Sequence, residues 1–160
     1  MKKSLKNNKI VFFDIDYTLF DCDIFKKSNL KDYKNYDETE VVLKNLSKKT
    51  DLGIFSEGEE NLQKAKLYKT GIGKYFTQGN VYILQGKNVL IEETFEKYRG
   101  NSIYLVEDKL EILNQVKSVY PDIFTVWVKR GIYAEKQGRT NGFMPDAQIL
   151  NLNELINIIL

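Results

Sequence analysis

Two aspartates stand one residue apart at the end of an apolar run, in Lys9-Ile-Val-Phe-Phe-Asp14-Ile-Asp16-Tyr-Thr18-Leu19. In an extended strand, alternate side chains leave the same face, so both carboxylates would share one side with their α-carbons roughly 6 to 7 Å apart. Two anions in one small site resist double ionisation unless a cation lies beside them. The pair therefore indicates metal-assisted chemistry. The structural alternative is that both aspartates are ordinary turn residues after a strand.

The amino-acid inventory limits the chemistry that this pair can join. The chain has 160 residues, no histidine and a single cysteine, Cys22. Ser-His and Cys-His nucleophile pairs and histidine metal sites are thereby excluded. Carboxylates, lysines, hydroxyls and a hard metal ion are left for any catalysis.

The composition also limits location and partners. A lone cysteine forms no internal disulfide and favours a reducing compartment. No apolar run approaches the roughly 20 residues that span a bilayer. Lys plus Arg number 24 against 22 Asp plus Glu, and both signs are dispersed along the chain. We therefore expect a cytoplasmic protein with no membrane contact and no nucleic acid partner, built as one domain over residues 1–160.

Short apolar runs alternate along the chain with stretches of helical spacing. This alternation is typical of βαβ units. It predicts an α/β fold of the three-layer, Rossmann-like type, in which a central parallel sheet of about five strands has helices on both faces. The predicted strands are Ile10–Ile15, Leu52–Phe55, Val81–Leu84, Ile103–Val106 and Ile123–Val128.

The helical stretches carry apolar residues at the spacing of one helix face. The first is predicted to begin near Asp37, which has capping-box spacing to Glu40. A final helix over Leu152–Leu160 is expected to pack on the sheet. The predicted buried faces are Val42 and Leu46; Leu62, Ala65 and Tyr68; Ile91, Phe95 and Tyr98; Ile112, Val116 and Val119; and Leu152, Leu155, Ile156 and Ile159.

Ligands of open parallel sheets bind beyond the carboxyl ends of the strands, so polar residues at those ends are site candidates. Ser56-Glu57-Gly58 follows the second run, where a hydroxyl and free amides at a helix start would hold phosphate. The structural alternative is equally open, because Ser56 and Glu59 have capping-box spacing. Lys129 and Arg130, after the fifth run, would either contact a substrate anion or be solvated.

Two adjacent acids, Glu107 and Asp108, follow the fourth run. If that strand neighbours the first, they complete the oxygen-rich ligand set that Mg²⁺ prefers. Either acid could instead cap the next helix. Lys87, 21 residues before Asp108, would balance the charge of a nucleophile and a phosphate, and Lys74 is the competing lysine.

The order and spacing of these pieces resemble the haloacid dehalogenase (HAD) superfamily of phosphotransferases, whose first motif is Asp-x-Asp-x-Thr at the end of the first strand. Here that motif is Asp14-Ile-Asp16-Tyr-Thr18, and the second, third and fourth motifs match Ser56, Lys87 and Glu107-Asp108. The resemblance covers nearly the whole chain. It implies a magnesium-dependent phosphomonoester hydrolase.

The resemblance also implies a role for each matched residue. Asp14 would be the nucleophile that forms an aspartyl-phosphate, and Asp16 the general acid and base. Lys87 would steady the phosphorylated aspartate. The phosphate site would comprise Thr18, Ser56, Glu57 and Gly58. The metal ligands would be the Asp14 carboxylate, the Asp16 backbone carbonyl and Asp108, with Glu107 or Glu111 in support.

Two positions depart from the family pattern. Tyr17 follows Asp16 where the family often has glycine, and Ile112 stands where a second acid is frequent four residues after the first. These departures favour the alternative that the chain is a non-catalytic or regulatory binding protein that keeps the HAD fold.

The chain has no room for the cap domain that selects substrates in much of this family. Residues 17–36 form at most a short flap, which indicates the cap-less type. The site would then admit a small phosphate ester or a phosphorylated macromolecule, and a second subunit of a homo-oligomer would supply a lid. The flap residues that would either touch substrate or pack on one another are Phe25, Lys26, Lys27, Tyr33 and Tyr36.

Overall fold

The computed structural model describes residues 8–136 and 142–160. Six parallel strands form one sheet in the order β3-β2-β1-β4-β5-β6. This architecture confirms the predicted α/β class and parallel sheet. The strands are β1 Lys9–Phe13, β2 Asp51–Glu57, β3 Val81–Leu84, β4 Ser102–Glu107, β5 Phe124–Val128 and β6 Ala147–Ile149.

The sheet has one strand more than the five expected. Strand β6 is three residues long, lies at the sheet edge and pairs with β5. Its sequence Ala-Gln-Ile lacks the run of β-branched and aromatic residues that distinguishes the other strands. A strand of this length is specified by its neighbour more than by its own sequence.

In the described part of the chain, seven α-helices connect or follow the strands. They are α1 Cys22–Lys27, α2 Thr39–Leu46, α3 Glu60–Lys69, α4 Ile91–Phe95, α5 Leu110–Val119, α6 Gly131–Lys136 and α7 Leu155–Ile159. Short 3-10 turns lie at Gly73–Tyr75, Gln78–Asn80, Lys87–Val89, Glu96–Tyr98 and Leu152–Glu154. None of the helices within residues 8–136 and 142–160 combines the length and the apolar character needed to cross a bilayer.

The helices cover both faces of the sheet. Alternate residues of β1 enter opposite cores, with Phe13 on one face and Phe12 on the other. Helices α2, α3 and α7 contribute to the Phe13 core, whereas α4 and α5 contribute to the Phe12 core. The three-layer arrangement follows from this alternation, because each face of a fully buried strand requires its own cover.

Most of the predicted helix faces are buried as expected. The residues that confirm the prediction are Val42, Leu46, Ile91, Phe95, Tyr98, Ile112, Val116, Leu152, Leu155 and Ile159. Val119 is an exception, since it is 41% exposed at the last position of α5.

The helix predicted to begin near Asp37 is α2, but the predicted capping role of Asp37 was wrong. Helix α2 begins at Thr39, and Asp37 instead pairs with Lys34 at 3.3 Å. Glu38 occupies the cap position without a side-chain capping bond. Its carboxylate is engaged by Arg130, whose Nη1 lies 2.5 Å from Glu38 Oε1, so a tertiary ion pair replaces the local cap.

Helix α3 buries a different face from the predicted one. Tyr68 is 85% exposed, whereas Gln63, Lys66 and Leu67 are buried. Polar side chains turn inward here because this helix borders the carboxyl edge of the sheet. The apolar spacing rule fails where a helix faces a polar site.

The sheet places its functional edge at the point where strand order reverses. Strand β1 is flanked by β2 and β4, and the connections leave β1 in opposite directions from this point. The Asp14 amide donates to the Val106 carbonyl at 3.0 Å, which extends the β1-β4 pairing past the end of the strand. The crevice at such a switch point is the usual ligand site of open α/β sheets.

Residues 17–36 fold as a compact segment around helix α1. Asp21 caps this helix by accepting hydrogen bonds from the Asp23 and Ile24 amides, both at 3.1 Å. Phe25 packs against Phe20 and Tyr33, with ring centroids 5.4 and 4.9 Å away. The flap aromatics therefore serve largely to pack the segment itself.

Arg130 anchors this segment to the sheet. Its Nη2 donates to the Thr18 carbonyl at 2.6 Å, and its guanidinium lies 3.6 Å from the Tyr36 ring centroid. Together with the Glu38 ion pair, these contacts show that the Arg130 side chain stabilises the fold and is not solvated. Lys129 instead lies over the Trp127 ring at 5.2 Å.

The register of β1 and β2 places Phe12 beside Gly53. A Cβ at residue 53 would lie 2.6 Å from the Phe12 ring and 2.7 Å from the Asn80 carbonyl oxygen. We predict that Gly53→Ala lowers the free energy of unfolding by about 1 to 3 kcal/mol, the usual cost of overpacking. Gly79→Ala is the control, since nothing lies within 4 Å of its Cβ position. Urea denaturation measures both, and equal stabilities of the two variants would contradict the prediction.

Candidate active site

Three buried carboxylates meet where β1 and β4 end. Oxygens of Asp14, Glu107 and Asp108 all lie within 4.8 Å of one another, and Asp108 is 1% exposed. Asp14 follows β1 directly, while Glu107 and Asp108 end and follow β4. The strand register thus brings together acids that are more than 90 residues apart in sequence.

Lys87 supplies a positive charge to this cluster. It lies in the 3-10 turn after β3, and the left-handed Gly86 (φ 76°) directs the chain into that turn. Its Nζ donates to Asp14 Oδ1 at 3.1 Å and also contacts Glu107 Oε2. Burial opposes the charged form, but Asp14 and Glu107 raise the pKa of Lys87 well above its ordinary value.

The competing lysine lies elsewhere. Lys74 is exposed and pairs with Glu40 at 3.3 Å. The structure therefore brings Lys87 to the acids and leaves Lys74 outside.

Glu107 and Asp108 have different surroundings. Glu107 is fully engaged, because Oε2 meets Lys87 and Oε1 accepts a hydrogen bond from the Lys109 amide at 3.0 Å. Neither carboxylate oxygen of Asp108 accepts a hydrogen bond from the described part of the chain. Burial, followed by the charges of Glu107 and Asp14, raises the pKa of Asp108 to about 11. Burial and the charge of Asp14 likewise raise the pKa of Glu107.

The donor set fits a divalent cation. Three carboxylates against one ammonium leave an excess of two negative charges when all are ionised. Hard oxygen donors are the ligands of Mg²⁺. Asp108, with two unpartnered oxygens, is the acid best placed to bind it, and Glu107 is better placed to orient Lys87. Glu111 is exposed and accepts from Gln115 at 3.4 Å, so it lies outside the acid cluster.

Asp16 is held in a separate polar network. Its Oδ1 lies 2.6 Å from Lys66 Nζ, and Gln63 Nε2 is 3.5 Å from its Oδ2. The same Gln63 nitrogen donates to Ser56 Oγ at 3.2 Å. Helix α3 thus fixes the second aspartate of the pair through its inward polar face. The side chains of Asp14 and Asp16 are bound by different lysines.

Lys66 was not predicted from the sequence. It occurs among exposed lysines on the same helix, and charged residues at helical spacing normally indicate a solvated face. Its burial depends on the register between α3 and the sheet, which the sequence pattern does not specify.

The residues predicted to bind phosphate differ in their access to the cavity. Ser56 and Thr18 are fully buried and do not line the cavity, while Glu57 lines it. The Gly58 amide already donates to the Leu84 carbonyl at 3.1 Å. The capping reading of Ser56 was wrong, because Glu59 caps α3 by accepting from the Asn61 and Leu62 amides.

A cavity of about 270 Å³ opens above the acids. One side is formed by the flap and another by residues that follow β4 and β5. Its lining includes both aspartates of the first pair and four lysines: Asp14, Asp16, Tyr17, Cys22, Phe25, Lys26, Leu30, Glu57, Leu62, Lys66, Lys87, Glu107, Asp108, Lys109, Ile112 and Tyr133.

Sequence comparison finds no matching protein-family profile and no matching curated protein. Solved structures do match. A haloacid dehalogenase-like hydrolase from Burkholderia xenovorans aligns with a TM-score of 0.80 at 19% identity, covering 95% of this chain and 96% of that one. YfnB of Bacillus subtilis, a HAD-hydrolase bound to magnesium, aligns at 0.76 with 14% identity and coverages of 96% and 99%. The chain has the haloacid dehalogenase-like fold.

Other structures with this fold differ in their named activities. A phosphatase from Clostridium difficile aligns at a TM-score of 0.73 with 17% identity, covering 97% of this chain and all of that one. An L-2-haloacid dehalogenase from Xanthobacter autotrophicus also shares the fold. The HAD-like fold alone therefore does not identify the reaction. The side chains of this site are the evidence for it.

Tyr17 occupies a backbone position that favours glycine. Its φ is 60°, in the left-handed region, which explains why glycine is frequent after the second aspartate of the HAD motif. The Tyr17 ring is buried and lies against Gly131, where a Cβ would come within 2.3 Å of it. Ring packing thus offsets a backbone strain of about 1 to 2 kcal/mol.

The raised pKa of Asp108 makes the metal-free protein sensitive to pH. Between the ordinary aspartate pKa of 3.8 and about 11, the folded state retains a proton that the unfolded chain has released. The free energy of unfolding therefore falls as pH rises through this window. We predict that Asp108→Asn stabilises the metal-free protein at pH 8 by about 1 to 3 kcal/mol, the cost of a buried unpaired group.

Thermal melts in chelator at pH 5 and pH 8 measure this effect, and Asp108→Asn should flatten the difference between the two. Added Mg²⁺ should raise the melting temperature of the unmodified protein more than that of the variant. Asp122→Asn, at an exposed acid, is the matched control. A variant less stable than the unmodified protein in chelator at pH 8 would contradict the prediction.

Proposed function

We propose that this chain is a magnesium-dependent phosphatase that hydrolyses phosphomonoesters through an aspartyl-phosphate on Asp14. The carrying observation is the joint placement of Asp14, Asp16, Lys87 and Asp108 on one cavity. The same small volume is then surrounded by four groups with complementary roles. These are a nucleophilic carboxylate (Asp14), a proton carrier (Asp16), a fixed ammonium (Lys87) and a carboxylate for the metal ion (Asp108).

Asp14 is suited to act as the nucleophile. Its Oδ1 is held by Lys87 at 3.1 Å, and its carboxylate remains at the cavity surface. In the first step this carboxylate attacks phosphorus, the ester P-O bond breaks, and Asp16 donates a proton to the leaving oxygen. Lys87 offsets the charge of the phosphorylated aspartate as it forms.

Asp16 then acts in the opposite direction. It takes a proton from a water molecule, the water oxygen attacks phosphorus, and the bond to Asp14 breaks to release inorganic phosphate. Both steps need the Asp16 carboxylate near the same phosphorus. Lys66 and Gln63 hold it in a fixed orientation, which favours its use in both.

Mg²⁺ would be bound by the Asp14 carboxylate, the Asp16 backbone carbonyl and Asp108, and would neutralise charge on the transferring phosphoryl group. Thr18 and Ser56 would support the phosphate site from below the cavity lining. Thr18 is positioned for this by the Arg130 bond to its carbonyl.

Asp16 also favours phosphate over a haloacid as the substrate. A second acid at this position has a proton to transfer in phosphoester hydrolysis, and dehalogenases of this superfamily normally dispense with it. The ion pair with Lys66, which holds the carboxylate of Asp16 at the cavity, supports this choice of substrate.

The two aspartates should fail at different steps. We predict that Asp14→Asn lowers turnover of p-nitrophenyl phosphate at least about a thousandfold, as loss of a nucleophile does. Asp16→Asn should release one burst of nitrophenol and then stall, because this leaving group needs little protonation whereas water activation needs the base. Rapid-quench kinetics and intact mass should show the phosphorylated variant. Undiminished activity in Asp14→Asn, or in chelator, would refute the proposal.

Lys66 should act through Asp16. We predict that Lys66→Met lowers kcat by roughly tenfold to a hundredfold, because a catalytic group displaced by about 1 Å loses this much. The phosphorylated enzyme should accumulate in single-turnover experiments. Lys64→Met is the control, since Lys64 is exposed on the same helix and its ion pair among the described residues is with Glu60 at 2.5 Å. A loss confined to KM, or an equal loss in the control, would count against this role.

A further inference from the structure

The four lysines that line the cavity differ in their partners. Lys66 and Lys87 are committed to carboxylates of the site. Lys26 and Lys109 form no ion pair with any carboxylate of the described ranges 8–136 and 142–160. Two cations therefore face the cavity without a salt bridge to a carboxylate of these described residues.

These two lysines flank a pair of tyrosines. Lys26 Nζ donates to the Tyr17 hydroxyl at 2.9 Å, and Lys109 Nζ lies 4.5 Å from the Tyr133 ring centroid. The Tyr17 and Tyr133 rings meet edge to face at 5.9 Å. Contact with an aromatic ring holds a lysine in place and leaves its charge uncompensated. The result is a wall with a cation at each end and aromatic rings between them.

The wall belongs to the same cavity as the proposed nucleophile. A phosphoryl group bound at Asp14 and Lys87 leaves the rest of the substrate to contact the other lining residues. A negatively charged group there would be matched by Lys26 and Lys109. A neutral leaving group would use neither. The volume of about 270 Å³ lies below the roughly 300 to 1,000 Å³ of sites for drug-sized ligands, which favours a small molecule.

We infer that the substrate is a small phosphomonoester whose leaving group carries a second negative charge, bound by Lys26 and Lys109 against the two tyrosines. This inference rests on the proposed phosphatase function and defines its substrate class. The reacting atoms are unchanged, and the lysines determine specificity.

The experiment compares phenyl phosphate with its 2-, 3- and 4-carboxyphenyl analogues. At least one carboxylated ester should be preferred in kcat/KM by the unmodified protein. Each of Lys26→Met and Lys109→Met should lower that preference by about fivefold, the effect of one exposed ion pair. The measured quantity is this preference in the variant divided by the same preference in the unmodified protein. The intrinsic reactivity of each ester cancels in that ratio.

Lys97→Met is the matched control, since Lys97 lies over Tyr82 and Tyr98 at 5.0 Å from each ring centroid and does not line the cavity. Its ratio should equal that of the unmodified protein. Lys26 bonds to Tyr17 and forms no salt bridge with Asp14, Glu107 or Asp108 in the described residues, so a change confined to the ester preference in Lys26→Met reports the contact of this lysine with the substrate. Lys26→Gln replaces that variant if its melting temperature falls.

The outcomes distinguish failure of the substrate-class inference from failure of the phosphatase proposal. Hydrolysis of all four esters with a ratio unaltered in Lys26→Met and Lys109→Met overturns the inference and leaves the phosphatase standing. A phosphopeptide turned over faster than every carboxylated ester also overturns it. Hydrolysis of no ester overturns the phosphatase proposal and the inference with it.

Discussion

The burial of three carboxylates beside one lysine is the constraint on which the site depends. Asp14, Glu107 and Asp108 are buried at the floor of the cavity, and Lys87 compensates only part of their charge. A buried uncompensated carboxylate is expensive and shifts its pKa or binds a cation. The high pKa of Asp108 expresses that cost in the metal-free protein. A divalent cation bound there would remove this cost, so the residues that destabilise the fold would also be the ones that confer affinity for the ion.

The buried carboxylates lie at a part of the sheet that is held by several backbone and side-chain contacts. The Asp14 amide is paired with Val106, so the pairing of β1 with β4 continues to the acids. The close contact between Phe12 and Gly53 holds β2 against β1 on the face covered by α4 and α5. On the opposite face, Arg130 joins Thr18 to the start of α2.

Most of this architecture could be predicted from the sequence, because strands buried on both faces are continuous apolar runs and acids at their ends are conspicuous. Strand β6 was missed because three residues at an edge contain too little pattern. Lys66 was missed for a different reason. Its role depends on which face of α3 turns inward, and the polarity of the site reverses the usual rule for that helix. Likewise, the choice of Lys87 over Lys74 needed the geometry of the turn after β3, which begins at left-handed Gly86.

The described segment between β1 and α2 is a short flap around helix α1. Selection of the proposed substrate would fall to cavity side chains of this flap, and Tyr17 is the one next to Asp16 in sequence. A glycine would relieve the strain at φ 60°, yet it would remove the ring that contacts Tyr133 and the hydroxyl that Lys26 binds. The chain thus retains a strained backbone next to Asp16, and the tyrosine ring forms part of the cavity wall. Strain of this kind persists where the surrounding contacts over-determine it, and here those contacts are the proposed substrate subsite.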